Sequence, residues 1–144
     1  MTETKARILQ EAIRHVEKFG RKRTRLVAMA EDLGMSHANI YRHFKNKNEI
    51  LDAIVSEWLN QADNLIEESL ASARTPKDAV ISIVMVLNAF LVKKLSTETA
   101  AVEIFEHAFS DQPQSVAAHL TNLKMRIREN VGAHIAASER DTTD

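Results

Sequence analysis

Residues Leu26 to Phe44 leave the chain few choices of fold. Leu26 to Leu33 carries apolar residues at helical spacing, Gly34 interrupts the pattern, and His37 to Phe44 begins a second short periodic segment. A glycine at that point supplies the positive φ that a sharp turn after a helix requires. Ser36 stands where its hydroxyl can cap the second helix. Ala30 is small enough to let the two helices cross closely. Ile40 and Phe44, four residues apart, share one face and are expected to point inward, with Met29, Leu33 and Met35 filling the space between. His37, Ala38, Asn39, Tyr41, Arg42 and His43 are then left facing outward. A helix anchored by two apolar residues and presenting donors, acceptors, a methyl group and one phenol suits the major groove of DNA, which is the helix-turn-helix arrangement.

The wider pattern is Ile8, Ala12, Phe19-Gly20, Thr24, Val27, Ala30, Leu33-Gly34-Met35-Ser36, then Ile40-Tyr41-Arg42-His43-Phe44-Lys45-Asn46-Lys47, Glu49 and Leu51. It resembles the TetR family of bacterial transcriptional regulators over roughly the first 60 residues. The resemblance implies an all-α fold. A three-helix DNA-binding domain (residues 1–50) would be joined through a long fourth helix to a helical effector-binding and dimerisation domain (residues 51–144). It implies a cytoplasmic homodimer that reads a near-palindromic DNA site and is a repressor released by a small apolar or amphipathic effector. Relatives usually carry two further long helices that form the dimer interface, and this sequence stops before them.

Charge distribution agrees with a DNA reader. Residues 1–50 hold eleven Lys or Arg against six Asp or Glu, whereas residues 51–144 hold eight against fourteen. A basic half joined to an acidic half is the footprint expected of a nucleic-acid-binding domain attached to one that does not touch DNA. Arg21, Lys22, Arg23 and Arg25 crowd one short loop. Charged loops are often merely solvated, but this density beside a helix-turn-helix favours a phosphate clamp, and Thr24 is expected to cap the following helix and hold phosphate as well. The phosphate contacts expected are Arg23, Thr24, Arg25, Tyr41, Arg42, His43, Lys45 and Lys47. His37, Ala38 and Asn39, at the start of the recognition helix, are expected to meet base edges. Tyr41 would be a core residue in most helices; Ile40 and Phe44 already take the inward positions, so it is placed outside.

Few glycines and prolines, with abundant Ala, Leu, Ile, Glu and Lys, predict helices throughout. The absence of cysteine excludes disulfides and thiolate metal sites, and no signal segment opens the chain. The spacing predicts helices over Glu3–Phe19, Lys47–Ala73, Pro76–Lys94, one starting at Ser96, and Gln114–Ala137, with breaks at Arg74-Thr75-Pro76 and Asp111-Gln112-Pro113. The first carries Ile8, Leu9, Ala12, Ile13, Val16 and Phe19 as its apolar face. The helix from Pro76 is apolar nearly all round, which predicts burial at the centre of a bundle; its longest apolar stretch, Ala79 to Val92, is too short to span a bilayer. Residues 138–144 are polar and expected to fray.

Trp58, Met85, Phe90, Phe105, Phe109 and His119 are candidates for the wall of an effector cavity, with simple core filling as the competing reading for each. Glu103, Glu106 and His107 form the most metal-like cluster, but no matching set stands on another helix, so a solvated face is expected there and no metal. No cofactor is implied and no catalytic constellation is present. Two rival functions stay open: a DNA-binding protein that recruits a protein partner and ignores small molecules, and a helical enzyme or lipid carrier that keeps the helix-turn-helix as scaffold. The basic loop argues against the second.

Overall fold

The computed structural model describes residues 1–111 and 114–142. Seven helices and no strand are found among them: α1 (Glu3–Phe19), α2 (Leu26–Asp32), α3 (His37–His43), α4 (Lys47–Ala71), α5 (Pro76–Thr97), α6 (Ala101–Asp111) and α7 (Gln114–Asp141). The fold is all-α, as expected. Helices α1 to α3 pack around the start of α4. The rest of α4 packs against α5, α6 and α7, so one long helix runs through both halves. Buried side chains from Ile8 to Val116 form one connected cluster. Around α4 it includes Ile50, Leu51, Ile54, Val55, Trp58 and Ala62, all nearly inaccessible to solvent.

Local chemistry fixes most helix ends. Side-chain oxygens of Ser36, Asn46 and Thr75 accept from the backbone N–H three residues on, at 3.1, 2.9 and 3.1 Å. Each satisfies one of the orphan donors of a helix N-terminus. Pro76 occupies the first turn of α5, where its missing N–H is not needed. Gly34 has φ +67°, the N–H of Met35 bonds to Ala30 O at 2.8 Å and that of Gly34 bonds to Glu31 O at 3.1 Å. This pair of bonds is the Schellman closure of a helix, and it turns the chain directly into α3.

Several elements differ from the sequence expectations. Helix α2 begins at Leu26 with Arg25 as its cap residue and without a side-chain cap bond. Thr24, the expected cap, is buried and its hydroxyl donates to Gly20 O at 2.9 Å. Gly20 adopts φ +80° and ψ 160°, a region essentially restricted to glycine, and this bend brings its carbonyl over Thr24. Phe19 is exposed, with its ring tilted against His15 at 5.5 Å. Helix α4 stops at Ala71. Helix α5 continues to Thr97, so Ser96 lies within it instead of opening α6; Ser96 Oγ donates to Lys93 O at 3.1 Å. Helix α7 persists to Asp141, past the expected fraying point. The break expected at Asp111-Gln112-Pro113 lies largely outside the described residues.

The largest correction concerns α5. Only Ala79, Ile83 and Phe90 are buried, while Ile81, Val84, Met85, Val92 and Leu95 are exposed. The helix packs chiefly against α4 and α7 and leaves its remaining apolar face open. By length and composition alone this 22-residue helix could cross a membrane, contrary to the shorter span read from the sequence. Its packed side and the polar Ser82 and Asn88 fit a bundle helix.

Candidate nucleic-acid interface

The recognition helix is held by its inner face. Ile40, Met29 and Ala30 have no solvent exposure and Phe44 is 7% exposed, while Leu33 and Met35 are half-buried against them. A seven-residue helix is not stable by itself in water, so these contacts hold it in place. The opposite face is open. His37, Ala38, Tyr41 and Arg42 are exposed, and Asn39 and His43 are partly so. Tyr41 is 47% exposed, which leaves its hydroxyl accessible to a phosphate oxygen. His37 lies 3.7 Å from Glu31 across the turn.

Two basic segments flank the turn and α3 in the chain. Lys22, Arg23 and Arg25 are exposed on the loop between α1 and α2, and Lys45 is exposed just before α4. Thr24 does not belong with them: a buried hydroxyl already donating to Gly20 cannot meet a phosphate. Lys47 joins the two segments, because its ammonium donates to Arg21 O at 2.7 Å. Partial burial, followed by repulsion from Arg21 and Arg25, holds the Lys47 pKa below its ordinary value. Between that lowered value and the ordinary one, the unfolded chain keeps a proton that the folded protein releases, so stability rises with pH there; below it the repulsion is carried in full. A phosphate at this point would favour the charged form and raise the pKa again. Lys47→Met is therefore expected to leave the fold intact and to flatten the dependence of log affinity on log salt by about 0.9, one phosphate contact. Fluorescence anisotropy over a salt series measures it.

Arg21, one end of the basic loop, is tied to α6. Its backbone N–H donates to Glu103 Oε2 at 2.6 Å, and its guanidinium lies 3.3 Å from His107 Nδ1. His107 is 2% exposed and its Nε2 lies 3.0 Å from Asp52 Oδ1 on α4. Since arginine can only donate, Nδ1 accepts and Nε2 carries the hydrogen directed at Asp52. The solvated face expected for Glu103, Glu106 and His107 therefore holds only for Glu106. The other two connect the second half of the chain to the loop that borders the recognition helix. The sequence offered one signal for this junction, the Glu-His spacing on a helix, without its partner.

A cleft of 640 Å³ opens between α4 and α5, lined by Gln61, Asn64, Leu65, Val86, Ala89, Phe90, Lys93, Lys94, Thr97 and Glu98. Of the six residues proposed for a cavity wall, only Phe90 lines it. Trp58 and Phe105 are buried against each other with ring centroids 5.3 Å apart, which closes the space they were expected to border. Met85 and Phe109 are exposed. His119 Nδ1 lies 2.9 Å from Asp63 Oδ2, spanning α7 and α4. Lys94 sits over the Trp58 ring at 4.7 Å and pairs with Glu98 at 2.7 Å.

Comparison with known proteins bears on these elements. Residues 8–54 match the family described as bacterial regulatory proteins, tetR family. The HTH-type transcriptional regulator TtgR of Pseudomonas putida is 37% identical over 67 residues, covering 46% of this chain and 32% of that protein. The uncharacterized HTH-type transcriptional regulator YvkB of Bacillus subtilis is 32% identical over 69 residues, covering 48% of this chain and 36% of that protein. The matched segment thus spans about a third of the length of these curated relatives. Among solved structures, the TetR family regulator PfmR from Thermus thermophilus superposes with a TM-score of 0.62 at 22% identity, covering 95% of this chain and 72% of that one. A transcriptional regulator from Saccharomonospora viridis, solved in complex with choline, superposes with a TM-score of 0.64 at 18% identity, covering 98% and 72%. Residues 8–54 thus match the tetR-family domain, and the chain has the fold of the TetR-family regulators on which it superposes.

Proposed function

We propose that the chain is a sequence-specific DNA-binding transcriptional regulator that acts as a homodimer, a repressor released from a near-palindromic operator by a small amphipathic effector. The observation that carries this reading is the open face of α3, with Tyr41 and Arg42 exposed and exposed basic residues before and after it in the chain. His37, Ala38 and Asn39 read base edges; Arg23, Arg25, Tyr41, Arg42, His43, Lys45 and Lys47 contact phosphates. Two such helices enter successive major grooves about 34–36 Å apart. The cleft between α4 and α5, apolar along Leu65, Val86 and Phe90 with Lys93 at its edge, supports an amphipathic effector, and the choline-bound neighbour shows that a protein of this fold accepts a small molecule. The Arg21–Glu103–His107–Asp52 junction gives a shift in the bundle a route to the basic loop. An effector shifts the balance only by its differential affinity for the two shapes.

Selection of bound duplexes from a random pool tests the reading. Enrichment of two half-sites in inverted repeat is expected, with affinity lowered about tenfold across all selected sequences in Tyr41→Ala, since a phosphate contact positions without specifying. Absence of any enriched sequence would reject it.

A further inference from the structure

We propose that Glu11, His15 and Asp32 form a binding site for a divalent transition-metal ion of the zinc class, within the helix-turn-helix half of the chain. One ligand atom from each residue lies within 4.8 Å of the other two. His15 Nε2 is 2.7 Å from Asp32 Oδ2 and 3.3 Å from Glu11 Oε1. A tetrahedral ion with bonds of about 2.0–2.1 Å places its ligand atoms roughly 3.3 Å apart, so the three groups need only modest shifts to close on one. Glu11 and His15 stand four residues apart on α1 and share one face; Asp32 is the last residue of α2.

The environment favours a cation. Glu11 and His15 are 7% and 5% exposed, and a buried carboxylate requires compensation. Two carboxylates here converge on one imidazole nitrogen, which has a single hydrogen to share between them. Arg14 reaches only the outer oxygen of Glu11, at 3.1 Å. A divalent ion in place of that hydrogen satisfies both carboxylates at once, the hydrogen of the neutral ring moving to Nδ1 so that the Nε2 lone pair can ligate. Asp32 is exposed on its outer side, which leaves a fourth coordination position open to a water molecule. Imidazole and carboxylate donors without thiolate suit zinc, cobalt or nickel ahead of softer ions. His15 Nδ1 is buried with no hydrogen-bond partner among the described residues. The usual outer-shell acceptor is thus missing, which weakens the site by about 10–100-fold relative to one that has it and makes occupancy responsive to metal supply. Because Asp32 immediately precedes the Leu33–Gly34–Met35 turn, the ion would pin α1 to the end of α2 from which the recognition helix departs.

Titration of the chelator-treated full chain with Co²⁺, followed by Zn²⁺, tests this. Expected are one Co²⁺ per chain with visible d–d absorption, displacement of that absorption by Zn²⁺, and a rise in Tm of about 5 °C or more at a hundredfold excess of Zn²⁺ over its Kd. Asp32→Asn, at an exposed position that keeps shape, is expected to weaken Co²⁺ binding at least about tenfold while leaving the metal-free Tm little changed. His15→Gln is expected to abolish the absorption; if that variant does not fold, Asp32→Asn decides. Lack of saturable binding at one ion per chain, or Co²⁺ affinity unchanged in Asp32→Asn, would overturn the assignment. Neither result bears on DNA selection, so the regulator reading stands or falls separately.

Discussion

Truncating Ile40 to alanine is expected to destabilise the protein by about 2–5 kcal/mol, the range for removing a fully buried isoleucine from a close-packed site. Ile40 has no solvent exposure and sits with Phe44 as one of the two inward anchors of α3. So short a helix has little stability of its own, and the neighbouring Met29 and Ala30 belong to an equally short helix that cannot easily collapse into the cavity. Urea unfolding followed by far-UV circular dichroism measures the loss, and for a chain of this size Tm should fall by about 10 °C. Ile135→Ala, on an exposed part of α7, is the comparison and should stay within about 0.5 kcal/mol of the parent. A similar small effect at Ile40 would mean that α3 is not held by this face.

Reversing the basic border is expected to have the largest effect on DNA binding. Arg25→Glu combined with Lys45→Glu replaces two exposed positive charges, one before and one after α3 in the chain. Affinity for duplex DNA should fall by about 100-fold or more near 0.1 M salt, with a shallower salt slope, because attraction to two phosphates becomes repulsion. Both side chains are exposed, so the circular dichroism spectrum and Tm should change little. The reversal also removes Arg25 from the charges that repel Lys47 and should move the Lys47 pKa back up. Unchanged affinity would show that the basic border is a solvated surface only.

The parts of the fold legible in the sequence are those decided within a few residues. Ser36, Asn46 and Thr75 cap helices because a side-chain oxygen reaches a backbone N–H three positions on. Gly34 closes α2 because only glycine adopts that φ at low cost. The inward set Met29, Ala30, Ile40 and Phe44 follows from helical spacing around one turn, and with it the outward face of α3. Thr24 was the local exception. A threonine before a helix can cap it or turn back, and the bend at Gly20 decided in favour of turning back.

What the sequence by itself determined is the all-helical class, the caps at Ser36, Asn46 and Thr75, the turn into the recognition helix and the imbalance of charge, all of them local in the chain. Tertiary structure alone decided which surfaces meet. It left half of α5 uncovered, although the same residues read as a central helix, because apolar composition says a surface can be buried and not what packs on it. It turned Trp58 and Phe105 onto each other, leaving Phe90 alone of the expected wall residues at the cleft. It brought Glu103 and His107 to Arg21, 82 and 86 residues away in sequence, and His15 to Asp32, 17 residues away. The first pairing depends on how α4 carries one half of the chain past the other and the second on how α1 packs against α2, and helical spacing along one element holds no record of either approach.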